Sequence, residues 1–197
     1  MRRVGKVLRY VAFTAMALVG LLGGMFIAGN AFADPGGWPA VGMTALWAIP
    51  MVALSFYALL RPTAAGPVLV GATAFVAVFT VADSAFGIVP RDEWGPVAAI
   101  AAFVLGVALA FLGLHRPMLA GQLMIVAGLA QLTATLIGVA IQATDGPAPD
   151  AVFGGSSGVV VLPMLVVGGL FLLAGWLEGL TAGGSRRGVP QARRAPT

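Results

Sequence analysis

The chain has 197 residues, of which 59% are hydrophobic and 9% are charged, and its mean hydropathy is +0.99. A water-soluble domain of this length needs more charge to cover its surface, so the composition excludes a soluble globular protein. The sequence contains no cysteine, which excludes disulfides and thiolate metal sites.

Six apolar runs follow one another along the chain, each of about 20 residues and long enough to cross roughly 30 Å of hydrocarbon. They predict an all-α integral membrane protein built as a bundle of six transmembrane helices. A basic N-terminus at 1–9 precedes this 10–180 transmembrane domain, and a disordered basic tail at 181–197 follows it. The predicted spans are 10–33, 40–60, 67–89, 96–114, 118–143 and 158–180.

The first predicted span follows basic residues and ends in Ala31-x-Ala33, a pattern of the kind cut after secretory signal peptides. Its apolar stretch is far longer than the ~7–15 residues of a signal sequence, so we expect the span to be retained. Cleavage after Ala33 is the alternative, and it would leave five spans. Within this span, Gly20 and Gly24 have the spacing of a close helix contact.

The turn after the second span, RPTAAG at 61–66, recurs as RPMLAG at 116–121 after the fourth span. Arginine suits the inner membrane interface, proline suits the first turn of a helix, and Ala-Gly lets backbones approach closely. Matches upstream of both turns favour an internal duplication that gives three tandem helical hairpins. Coincidence in an Ala/Gly-rich chain is the alternative. The residues of the turn motif are Arg61, Pro62, Ala65, Gly66, Arg116, Pro117, Ala120 and Gly121.

Small and polar residues of the odd spans recur at alternating steps of three and four, so they share one face of each helix. The fourth span has no hydrogen-bonding side chain between Trp94 and His115. We therefore expect the odd helices inside, with their polar faces together, and the fourth helix toward lipid. The predicted intramembrane polar site comprises Asp83, Asn30, Thr80, Ser84, Gln131, Thr135 and Gln142.

Asp83 is the candidate that most suggests a function, because it is predicted about six residues inside the outer end of its span. A carboxylate at membrane depth costs ~2.5–3.5 kcal/mol or more unless it is paired, hydrated or protonated. One interpretation is a proton or cation site in an outward-facing polar cavity. The other is a hydrogen-bonded helix contact, or a carboxylate that reaches a nearby wet surface.

The sixth span carries Glu178 near its inner end, where Arg186 or Arg187 is the expected partner. Pro50 and Pro163 are expected to kink spans two and six, because each removes an internal hydrogen bond.

Ten of the 11 Lys and Arg residues fall on one side of the predicted topology. This bias predicts cytoplasmic N- and C-termini, with anionic lipids at the basic ends and no nucleic acid.

Enzymatic chemistry finds little support, since one histidine and no cysteine exclude multi-His metal sites and thiol nucleophiles. No phosphate-binding or dinucleotide-binding fingerprint is present, and neither a metal nor a cofactor is expected.

The preferred hypothesis is a structural, interaction or accessory membrane subunit, with a membrane protein or further copies of the chain as partner. The alternative is a small transporter or channel for protons, cations or a small polar solute, using the polar faces of spans one, three and five. The composition resembles that of small multi-pass proteins from bacteria with high-GC genomes, which implies the bacterial inner membrane.

Overall fold

The computed structural model describes residues 2–33, 36–89, 97–142 and 156–186, and its regular structure in these ranges is α-helical. Five of its six helices are long and apolar enough to cross a membrane, and α4 is a shorter apolar helix of 17 residues. These helices are consistent with the predicted helical membrane protein. The helices are α1 (Arg2–Ala33), α2 (Gly37–Leu60), α3 (Pro62–Phe86), α4 (Val97–Gly113), α5 (Pro117–Gln142) and α6 (Ser156–Arg186).

The terminal helices are longer than the predicted spans. α1 already begins at Arg2, within the segment expected to be a basic N-terminus, and α6 continues to Arg186, beyond the predicted end at 180. Helices of 32 and 31 residues extend about 48 and 46 Å at 1.5 Å per residue, more than the ~30 Å hydrocarbon core. Residues 187–197 of the predicted tail lie outside the described ranges.

Both Arg-Pro turns join their helices with the same backbone hydrogen bonds. Each proline is the first residue of the next helix, where a missing N–H leaves no bond unmade. In each turn the Arg N–H donates to a carbonyl four residues earlier, and the Ala N–H four residues later donates to the Arg carbonyl. The four bonds are Arg61 to Tyr57 (2.9 Å), Ala65 to Arg61 (2.9 Å), Arg116 to Leu112 (2.8 Å) and Ala120 to Arg116 (3.0 Å).

The helix α4 occupies the centre of the bundle and contacts each of the other five helices. These five form a ring in the order α1, α2, α3, α5 and α6, which closes where α6 meets α1. Residues 102–110 of α4 are all buried, as are Leu112 and Gly113. The prediction that the fourth helix faces lipid is therefore wrong, and the odd helices, expected inside, lie in the ring around it.

The physical reason lies in what an apolar helix can do in a bilayer. Lipid tails are as apolar as Leu, so the lack of polar side chains does not tell whether a helix faces lipid or protein. Small residues favour the centre because they let backbones approach. A methyl group built at Gly106 would lie 2.7 Å from Met16 Cε of α1 and 3.0 Å from Met164 Cε of α6.

The small residues of α1 make the close contacts that their spacing predicts, but with two different neighbours. A methyl group at Gly20 would lie 2.8 Å from Val107 of α4. At Gly24 the nearest side chain is Trp47 of α2, 3.1 Å away. The Gly20/Gly24 step thus lets α1 approach both the central helix and its neighbour in the ring.

One end of the bundle gathers the start of α1, both Arg-Pro turns and the last turns of α6. A methyl group at Gly5 would lie 3.0 Å from Glu178 Cγ. A methyl group at Gly175 of α6 would lie 3.0 Å from the nitrogen of Met118, at the start of α5. We call this the basic end of the bundle, because the arginines of both turns lie there.

Exposed aromatic side chains occur near both ends of the bundle. Trp38 lies in the first turn of α2 and is 86% exposed. Tyr10 and Trp176 are exposed near the basic end. Tryptophan and tyrosine favour the two membrane interfaces, so these positions fit a bundle that crosses a bilayer along its helix axes.

Candidate functional site

Three residues of the predicted polar site are buried where α3 and α5 pass the start of α4. Thr80 and Asp83 lie on α3 and are 1% and 7% exposed, and Gln131 lies on α5 and is 4% exposed. The inward orientation of these polar faces agrees with their sequence spacing. Because α3 and α5 are neighbours in the ring, their polar faces meet each other and the central helix.

The Gln131 amide joins three helices. Its Nε2 donates to the Ala98 carbonyl in the first turn of α4 at 2.9 Å, and to Thr80 Oγ1 of α3 at 3.4 Å. The first distance is typical of an N–H···O bond, whereas the second is long. Gln131 therefore binds mainly to a backbone carbonyl, an acceptor that a search for polar side chains does not find.

Asp83 stabilises the end of its own helix. Its Oδ1 accepts a hydrogen bond from the Val89 N–H at 2.8 Å, and its backbone carbonyl accepts one from the Gly87 N–H at 2.8 Å. Gly87 has φ 62° and ψ 44°, the left-handed conformation in which glycine commonly ends a helix. The carboxylate thus accepts a hydrogen bond from the chain that leaves α3.

The structure also corrects the position of Asp83 along its helix. Since α3 ends at Phe86, Asp83 lies in the last helical turn rather than about six residues inside the end. In this position the carboxylate accepts a hydrogen bond from the loop that follows its own helix. Of the two interpretations of Asp83, this geometry fits the structural one.

The remaining predicted residues add no further interhelical hydrogen bond among the described side chains. Thr135 Oγ1 donates to the Gln131 carbonyl of its own helix at 2.9 Å, and Ser84 is half-buried beside Asp83. The side chains of Asn30 and Gln142, at the ends of α1 and α5, lie outside what the structure describes. The polar contact that the structure does show thus joins α3 and α5 through α4.

Glu178 contacts α1, a helix that the sequence prediction did not include. Its Oε1 lies 3.7 Å from Arg9 Nη1 of α1, with the two side chains 30% and 17% exposed. The sequence prediction considered arginines that follow Glu178 and missed the first helix, which only the closed ring brings near. The side chain of Arg186 and all of Arg187 lie outside the described part of the chain.

The chemistry available at the polar site is that of neutral donors, neutral acceptors and one carboxylate. In the described ranges, no group of three or more His, Asp or Glu residues could hold a metal ion. His115 is exposed at the basic end, far along the helices from Thr80 and Gln131. No family model matches the chain, and searches of curated proteins and of solved structures also found no match.

Proposed function

We propose that this chain is a structural or accessory membrane subunit, whose outer helix faces bind another membrane protein or further copies of itself. The observation that carries this proposal is the central position of α4. Its buried residues are Ala, Val, Leu, Gly and Phe, and they fill the axis that a solute path through the ring would need.

A transporter or channel for protons, cations or polar solutes is the less favoured function. Such a protein needs polar groups that are free to exchange water or substrate along a path between its two ends. Here Gln131 binds the start of α4 and Asp83 binds the Val89 N–H. Gln131 is therefore used in helix packing, and Asp83 in ending its own helix.

The ring helices also present surfaces that suit helix–helix association. Gly42 on α2 and Gly71 on α3 are exposed, and a methyl group at either position would meet nothing within 4 Å. Small residues on lipid-facing surfaces let a second helix approach closely in a bilayer. This supports a membrane-protein partner, or a homo-oligomer, in contact with the outer faces of α2 and α3.

The same proposal includes an internal duplication of the chain, its orientation in the membrane and its cellular location. The matched hydrogen bonds at Arg61 and Arg116 support a duplicated hairpin, repeated as three tandem units. The one-sided distribution of Lys and Arg supports cytoplasmic termini. Together with the composition, it supports a bacterial inner-membrane location.

Accessibility of single cysteines tests the proposal directly, because the natural chain has none. Thr80→Cys and Gln131→Cys, in intact membranes, are treated with a membrane-impermeant thiol reagent from each side. Trp38→Cys and Arg61→Cys are the controls, since both positions are exposed at opposite ends of α2. We expect the controls to react from opposite sides while positions 80 and 131 stay unreactive. Reaction at both inner positions would reveal a water-filled cavity and make transport the leading function.

A further inference from the structure

A groove is lined by α2 of the ring and, at its base, by Val107 and Phe111 of the central helix α4. Its volume is about 220 Å³, and apolar atoms line it. Several of its residues are exposed on the membrane-facing side, so the groove opens sideways toward lipid. The lining residues are Met51, Val52, Ser55, Phe56, Leu59, Val107 and Phe111.

The walls of this groove are held in place by packing. Phe111 of α4 contacts Phe13 of α1 edge-to-face, with ring centroids 5.0 Å apart and planes at 83°, an arrangement that stabilises aromatic pairs. Ser55 is 6% exposed and its hydroxyl is buried, so it adds carbon surface rather than a polar group to the groove. The space thus suits a flexible hydrocarbon chain.

The groove ends beside the two Arg-Pro turns. Leu59 precedes Arg61 by two residues and Phe111 precedes Arg116 by five, so each arginine follows closely after a residue that lines the groove. The two turns also touch, because a methyl group at Gly66 would lie 3.3 Å from Arg116 Nη1. Both arginines are exposed.

No acidic side chain neutralises this pair of arginines within the described ranges. The salt bridge found there joins Arg9 to Glu178, and Asp83 lies at the far end of α3. The only other titratable group of the two turns is His115, which is exposed beside Arg116. Two positive charges therefore stand at the membrane-interface end of an apolar groove.

We infer that the α2–α4 groove and its two arginines form a binding site for an anionic phospholipid. One acyl chain lies along Val52, Phe56 and Val107, and the phosphate group contacts Arg61 and Arg116. The charge complementarity commits the site to a phospholipid. An apolar molecule would fill the groove but leave the arginines without a partner, and a free phosphate would leave the groove empty. Arginine is well suited to this role because its planar guanidinium binds phosphate oxygens in pairs.

The test measures lipid binding to the purified full-length chain in mild detergent. Dioleoyl phosphatidylglycerol and the zwitterionic dioleoyl phosphatidylcholine are titrated separately, and bound lipid is counted by native mass spectrometry. The Arg61→Ala/Arg116→Ala variant removes the phosphate contacts. The Arg3→Ala/Lys6→Ala variant is the matched control, since it removes two exposed positive charges from the first turns of α1. Val52→Trp fills the groove from an exposed position without touching the buried centre.

The wild-type chain is expected to prefer phosphatidylglycerol over phosphatidylcholine by roughly 30-fold, because each basic residue at a membrane surface strengthens anionic-lipid binding about fivefold. The double arginine variant should lose most of this preference, whereas the Arg3/Lys6 control should lose less, because it removes only the general attraction of the basic N-terminus for anionic lipid. Val52→Trp should weaken binding of both lipids. Equal binding of the two lipids by the wild type, or equal losses in the arginine variant and its control, would overturn the site. Unchanged binding in Val52→Trp would show that the groove is not used.

Discussion

At the residue scale, two buried polar groups show how this chain keeps hydrogen-bonding side chains in a hydrophobic environment. Gln131 reaches the Ala98 carbonyl on the central helix, and Asp83 reaches the Val89 N–H beyond its own helix. An interhelical bond such as that of Gln131 contributes on the order of 1 kcal/mol in bilayers. The spacing of α3 and α5 predicts that both residues face inward, but not their partners. Backbone groups leave no signal in a side-chain pattern.

Substitutions at Asp83 separate a structural carboxylate from a proton or cation site. Asp83→Asn keeps an oxygen that accepts the Val89 N–H, so we expect a nearly unchanged free energy of unfolding. Asp83→Ala removes the acceptor from a buried position and should lower that free energy by about 1–3 kcal/mol. Unfolding in mild detergent and amide exchange at Val89 provide the measurements. If Asn is as harmful as Ala, an acceptor oxygen at this position does not account for the stability, and the hydrogen-bond role is refuted.

At the element scale, glycine lets α5 and α6 pack backbone against backbone. A methyl group at Gly121 would lie 2.7 Å from the Gly168 carbonyl oxygen and 2.8 Å from the Leu172 nitrogen. In the other direction, a methyl group at Gly168 would meet the Gly121 carbonyl oxygen at 3.1 Å. Backbone atoms cannot rotate away as side chains can, so this contact fixes the distance between the two helices.

Gly121→Ala is expected to destabilise the bundle, because α5 and α6 must separate to admit the new methyl group. Overpacking of this kind costs about 1–3 kcal/mol, measured as the free energy of unfolding in detergent. Gly138→Ala on the same helix is the control, since a methyl group there meets nothing within 4 Å. The control should be neutral or stabilising by up to about 1 kcal/mol through helix propensity. Equal effects of the two substitutions would show that α5 and α6 are farther apart than described.

At the scale of the whole molecule, the hairpins that the sequence suggests do not occupy equivalent places. The second helix of the middle hairpin is the centre, while α2 and α6 lie in the ring. The repeated turns predict where hairpins fold, because proline and the Arg interface preference act locally. They do not predict which helix occupies the centre of the bundle. That depends on how Gly106 and its neighbours fit Met16 and Met164 across three helices, which is set by tertiary packing rather than by sequence period.

The closed ring bears on whether the chain is cleaved after Ala33. Removing α1 would uncover Val107 and Phe103 of α4 where Gly20 and Gly23 now cover them, and it would leave Glu178 without Arg9. We therefore expect the first helix to stay attached in the mature protein. The intact mass of protein purified from membranes by a C-terminal tag measures this directly, with Ala33→Leu as the control that blocks cleavage at this site. Masses that include residues 1–33 in both chains, and that differ only by the alanine-to-leucine change, support retention. A wild-type mass lower by that segment, restored in Ala33→Leu, would mean that the ring closes without α1.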